Sequence, residues 1–214
     1  RAAAEDMPIM TPAMRADILS RWRELGDAGK MLNEVLAPNF DFSNTSLVLP
    51  TEVFDKRMSL KVGDKHIDLV EVGPAHTRGD VLVHVPKDRT CYTGDILFAE
   101  AHPVIWDGPV SNWIKACDLI LAWDVETVVP GHGPITDKSA VRKLKQYFEY
   151  LLVEVRKRYD AKMSEADAVA DLKFDAFRGW LDEERIIINV NSIYREFSGD
   201  HSARDILELY GRMH

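Results

Sequence analysis

Apolar positions recur along this chain with two different periods, and the changes between them divide it. Thr11-Pro12 followed by Met14, Ile18, Leu19, Trp22 and Leu25 predicts a capped helix with proline in its first turn and Gly26 past its end. Ala28 to Leu36 predicts a second helix, and Pro38 with Asn39-Phe40-Asp41-Phe42-Ser43-Asn44 reads as a loop. Near Leu47 the period falls to two. Met58, Leu60 and Val62 alternate with Ser59 and Lys61, Gly63-Asp64 supplies a turn, and Lys65 to Val72 returns as the second strand of a hairpin. Val81 to Val85 and Thr90 to Thr93 predict another strand pair around Pro86-Lys87-Asp88, with Asp95 ending the second strand. His84 alternates with Val83 and Val85, so its side chain is expected to point out of the sheet.

Helical spacing then returns. Ser111 is expected to cap a helix from Asn112 to Trp123, and Val125 to Val129 reads as a short buried strand. From Asp137 the pattern is helical almost to the end. Lys138 to Tyr159 carries Val141, Leu144, Tyr147, Phe148, Leu151, Leu152 and Val155 on one face, and Ser164-Glu165-Ala166-Asp167 opens the next helix as a capping box does. Asn189 to Phe197 and Ala203 to Met213 predict two more, with Asp200 as a helix cap. Strand, helix, strand order signals an α/β architecture. With no repeat and no linker, the expectation is one domain in three parts: a helical entry over 1–46, a β-rich core over 47–136 and a helical part over 137–214.

Three residues stand where apolar runs meet Gly-rich turns: His76 in Gly73-Pro74-Ala75-His76-Thr77-Arg78-Gly79-Asp80, Asp95 in Thr93-Gly94-Asp95, and His132 in Pro130-Gly131-His132-Gly133. Two imidazoles and a carboxylate are donors for a borderline divalent metal such as zinc. Strand ends hold donors rigidly, provided the strands lie side by side. Asp80 and Thr77 are expected to orient the first histidine or hold its turn. Trp113 reads as core more readily than as a pocket wall, and His102 as a candidate for the pocket.

Composition narrows the partners. A net charge of −8 argues against a nucleic-acid footprint. Lys143, Lys145, Arg156, Lys157, Arg158 and Lys162 read as a solvated helix face. Cys91 and Cys117 are too few for a disulfide framework and read as reduced core thiols of a cytoplasmic protein. No apolar run approaches the ~18 residues that span a bilayer, and Arg1-Ala2-Ala3-Ala4-Glu5 is not a signal peptide. A start at Arg1 rather than Met suggests a fragment or a trimmed chain.

The order G-x-A-H-T-x-G-D, T-G-D-I-L-F and V-V-P-G-H-G-P resembles the later half of the metallo-β-lactamase-fold hydrolases, which include glyoxalase II and class B β-lactamases. Intervals of 19 residues from His76 to Asp95 and 37 from Asp95 to His132 fit that family, and the resemblance covers roughly Leu49 to Leu152. It implies an αβ/βα sandwich, N-terminally incomplete here, with a metal site along one edge of two facing sheets. It also implies roles: His76 on a first zinc, Asp95 bridging two zincs, His132 on the second, and a bridging water that attacks a carbonyl or similar centre of a small-molecule substrate. The family's other donors come from an earlier H-x-H-x-D-H motif, whereas no histidine precedes His66 here and Asp200-His201 lacks the rest of the motif.

Two functions are therefore expected to compete. One is a metal-dependent hydrolase of an ester, thioester, lactam or phosphoester, impaired in this chain because half of its donors are absent. The other is a non-catalytic oligomerising or binding module that keeps the motifs as structural relics. Loss of the facing strands would expose apolar surface and a strand edge, so a homo-oligomer is expected in either case.

Overall fold

The computed structural model describes residues 12–36, 48 and 50–214. The expected cap at Thr11 and the loop over 38–44 lie outside the described residues. Contacts gather into two units, one of residues 1–53 and 201–214 and the other of residues 54–200.

In the first unit, helix α1 (Pro12–Ser20) opens on its proline, a turn of 3-10 helix follows (Trp22–Leu25), and α2 (Gly26–Leu36) begins directly after it. Gly26 takes a positive φ of 59°, which lets the chain turn sharply between the two. The last helix, α7 (Ile206–Met213), is capped by Asp205, whose carboxylate accepts from the backbone N–H of Glu208, and it packs on α2 with Gly211 lying over Ala28. Asp205, not Asp200, is therefore the cap. The Asp200 carboxylate instead pairs with Arg195 at 2.7 Å, just past the helix that Gly199 ends.

The second unit carries one five-stranded sheet in the order β1-β2-β3-β4-β5, with β1 (Arg57–Val62), β2 (Lys65–Glu71), β3 (Val81–Val85), β4 (Thr90–Phe98) and β5 (Thr127–His132). The first four pair antiparallel, as their short turns require, and β5 pairs parallel to β4 after a crossover through α3 (Val110–Ala122). Pro109 rather than Ser111 stands at the N-terminal boundary of α3, and the cap residue itself makes no side-chain hydrogen bond there. Helix α4 (Lys138–Asp160) is capped by Asp137 and is followed by α5 (Glu165–Asp171), capped by Ser164, and by α6 (Ile186–Ser198). The architecture is mixed α/β, as expected.

One sheet face is dry. Leu82, Cys91 and Val128 are fully buried beneath α3 and α4, where Trp113, Tyr147, Phe148 and Leu151 complete the core. Trp113 donates its indole N–H to the carbonyl of Ile96 at 2.7 Å, which settles it as a core residue. His84 lies on this dry face as well. It stacks on Trp123 with ring centroids 4.5 Å apart, contrary to the outward direction expected from alternation. Alternation assigns a side chain to a face but does not say which face is covered. Both cysteines are free and buried, and burial pushes each thiol up to about 12.

Candidate metal centre

Strand β2 ends at Glu71, and the turn that follows is closed by its own side chains. The Asp80 carboxylate accepts from the backbone N–H of Thr77 at 2.9 Å and from its hydroxyl at 2.7 Å. Burial pushes the Asp80 carboxyl up, and these hydrogen bonds oppose the shift. Gly73 admits the return of the chain, since a Cβ there would lie 2.5 Å from the carbonyl oxygen of Arg78. The turn thus presents His76 in one orientation, and the expected roles of Asp80 and Thr77 hold.

His76 is fixed from behind by the loop that enters α3. Its Nδ1 lies 2.7 Å from the carbonyl oxygen of Val104, and because a carbonyl only accepts, Nδ1 carries the proton. Nε2 is then the lone-pair nitrogen. The backbone is stitched to the same loop: Gly108 N–H donates to the Ala75 carbonyl at 2.8 Å and Asp107 N–H to that of His76 at 3.3 Å. Phe98 and Trp113 wall the ring at centroid distances of 5.7 and 5.9 Å.

Asp95 lies inside β4, not at its end as expected from the apolar run. Gly94 has a φ of +50° and marks a shift in the β4–β5 register. That irregularity re-aims the next side chain, a common use of a bulge beside a site. His132 is the last residue of β5 and stacks on Phe98 at 4.3 Å with the rings 8° from parallel.

The three residues converge. His76 Nε2 lies 3.4 Å from Asp95 Oδ2, and His132 Nε2 lies 3.4 Å from Asp95 Oδ1. One carboxylate therefore faces two imidazoles, one with each oxygen. Among the described residues no group of three or more His, Cys, Asp or Glu side chains is arranged to hold a single metal ion. His102 lies outside the site: it is buried, with Nδ1 3.0 Å from the Tyr147 hydroxyl.

On the long basic helix, Lys145 pairs with Asp118, Lys157 with Glu154, and Arg158 with Glu154 and Asp171, while Lys143 lies over the Trp180 ring. No helix among the described residues is long and apolar enough to cross a membrane.

Sequence reasoning missed the polar residues of α6 that hold the loop over 102–110. Their signal was present, because Asn189, Ser192 and Glu196 recur at helical spacing on the side that should be apolar.

Two curated proteins resemble parts of the chain at 26% identity. The "2,4-dinitroanisole O-demethylase subunit alpha" of Nocardioides sp. (strain JS1661) matches over 78 residues, 36% of this chain and 24% of that protein. The "Beta-lactamase-like protein 2 homolog" of Caenorhabditis elegans matches over 83 residues, 39% of this chain and 27% of that protein. The chain thus matches about a quarter of the length of each. Among solved structures, a stereoselective inverting sec-alkylsulfatase from Pseudomonas sp. superposes with a TM-score of 0.57 at 12% identity, covering 73% of this chain and 28% of the sulfatase, which shows a shared fold. The profile of the metallo-beta-lactamase superfamily matches residues 6–132, more than half of the sequence. A sheet that gathers His76, Asp95 and His132 at one margin and a profile match through the last of them agree, and the chain belongs to the metallo-beta-lactamase superfamily.

Proposed function

We propose that this chain supplies one half of a two-metal hydrolase centre, with His76, Asp95 and His132 as its zinc donors. The observation that carries the reading is the division of the Asp95 carboxylate, one oxygen toward each imidazole at 3.4 Å. Neutral imidazole nitrogen and carboxylate oxygen are the donor types zinc takes, and His76 already has its proton on the nitrogen that points away. The donors present fit each position in kind but not in number: one imidazole and one carboxylate oxygen apiece, against the three protein donors of a catalytic zinc. When bound, zinc would supply Lewis acidity toward a substrate oxygen and lower the pKa of a coordinated water.

What the chain's own residues do is hold the donors. Val104 fixes the tautomer of His76, Phe98 orients His132, and Gly131 lets β5 pass against Asp95. The reaction class is hydrolysis of a small-molecule ester, thioester, lactam or phosphoester, and with two donors per position these 214 residues alone bind zinc weakly and turn over slowly. Free, buried cysteines suit a reducing compartment such as the cytoplasm.

Calorimetric zinc titration with metal analysis tests the reading, alongside hydrolysis of p-nitrophenyl acetate. Weak zinc uptake that Asp95→Asn and His132→Ala each abolish is expected. Uptake indifferent to both substitutions overturns it. A second reading, a non-catalytic oligomerising module, draws on the exposed apolar side chains Leu60, Val62 and Tyr92. Complete absence of zinc uptake and of turnover favours that reading instead.

A further inference from the structure

We propose that Asn189, fully buried on α6, is a positioning residue for His76, acting by clamping the peptide on either side of Val104. Its Oδ1 accepts from the backbone N–H of Ile105 at 2.9 Å, and its Nδ2 donates to the carbonyl of Pro103 at 2.9 Å and to the Tyr147 hydroxyl at 3.2 Å. The orientation of the amide is forced, because a backbone N–H can only donate and a carbonyl only accept. Between those two fastened peptides lies the Val104 carbonyl, which takes the Nδ1 proton of His76 at 2.7 Å.

The clamp is part of a longer template. Arg185, Asn189, Ser192 and Glu196 recur at the spacing of one helix face. Each meets the backbone of the loop in turn: Arg185 donates to the His102 carbonyl at 3.0 Å, Asn189 holds Pro103 and Ile105, Ser192 donates to the Ile105 carbonyl, and Glu196 accepts from Val110 N–H at 3.1 Å. A loop has no ladder to satisfy its backbone groups, so a buried loop needs such partners. A buried amide is costly unless both of its ends are used, and here both are. The result is a rigid path from a helix to the one carbonyl that decides which nitrogen of His76 is free.

Histidine tautomers are read directly from long-range 1H–15N spectra of the 15N-histidine-labelled chain without metal at pH 8. In the parent, His76 is expected as a single tautomer with the proton on Nδ1. Asn189→Leu keeps the branching and heavy-atom count of the side chain and removes the clamp. It is expected to give His76 a mixture of tautomers while His132 and His84 keep theirs, a selectivity that general loosening of the fold would not produce. Ser192→Ala, a milder change on α6 that removes one bond to the same loop, is expected to move His76 in the same direction, and it carries the test if circular dichroism shows Asn189→Leu unfolded. An Nε2–H tautomer of His76 in the parent overturns the proposal, as does an unchanged Nδ1–H tautomer in the folded variants. Zinc affinity is expected to fall about tenfold or more in Asn189→Leu, the usual size of an outer-shell effect. That last expectation rests on the proposed role of His76 as a donor. A parent chain that takes up no zinc overturns the function and leaves the tautomer result standing.

Discussion

At the scale of single residues, His102 shows how burial sets a proton. It is 1% exposed, and burial lowers its pKa; Asp182 and Glu183 act in the opposite direction and Arg185 in the same one. Asn189 donates to the Tyr147 hydroxyl, which is then free to donate to His102 Nδ1, and that bond requires an unprotonated nitrogen. The folded state thus holds His102 neutral, whereas in the unfolded chain it titrates near the ordinary value of about 6.5. Above that pH both states are neutral and the full stability is present. As pH falls through about 6.5 toward the lowered folded value, the unfolded chain binds the proton first and stability is lost, at no more than about 1.4 kcal/mol per pH unit. His84, also lowered by burial, adds a loss of the same sign. Urea denaturation between pH 7.5 and pH 5 is expected to show a shallower decline in His102→Gln than in the parent. An identical slope in both would remove His102 as the source.

At the scale of elements, the approach of β5 to β4 makes the candidate site possible. A Cβ on Gly131 would lie 2.2 Å from Asp95 Oδ1 and 2.6 Å from the carbonyl carbon of Gly94. Only a hydrogen fits there, so Gly131→Ala must push the strands apart or swing the carboxylate away from His132. Overpacking of this kind costs about 1–3 kcal/mol. A lower melting temperature together with weakened zinc uptake is expected, and a variant that takes up zinc as the parent does would refute the claim. The turn glycines near the three donors were legible in the sequence, and so were the hairpin β1–β2, the strand pair β3–β4 and the long helix α4, because period and turn chemistry agree in each. What escaped depended on tertiary packing. The apolar pattern puts Asp95 at a strand end because a bulge at Gly94 leaves no mark on it, and it points His84 outward because Trp123, the ring that covers it, lies far along the chain. Neither the facing of the Asp95 oxygens nor the clamp by Asn189 could be read without coordinates, since each joins segments whose approach only the packed fold decides.

At the scale of the molecule, the sheet has two unequal faces. The face of Leu82, Cys91 and Val128 is sealed by helices, whereas the opposite one carries Leu60, Val62 and Tyr92 at 39%, 60% and 47% exposure. The register puts the side chains of Met58, Leu69, Val83 and Tyr92 in one row across four strands, with Leu60 and Ile67 beside it. An apolar row of that width is unfavourable in water and suits association. Among the described residues β1 is also an edge strand, with one side of its backbone unpaired. Antiparallel pairing of two β1 edges would bring the Arg57 and Lys61 side chains of one copy among those of the other, a repulsive arrangement. The contact expected between two copies of this chain is therefore face to face, not edge to edge. Sedimentation velocity at micromolar concentration is expected to show a dimer, and Val62→Lys with Tyr92→Lys, which plants charge in the apolar row, is expected to return it to monomer. A parent that sediments as a monomer throughout that range would leave this face without the partner argued for it.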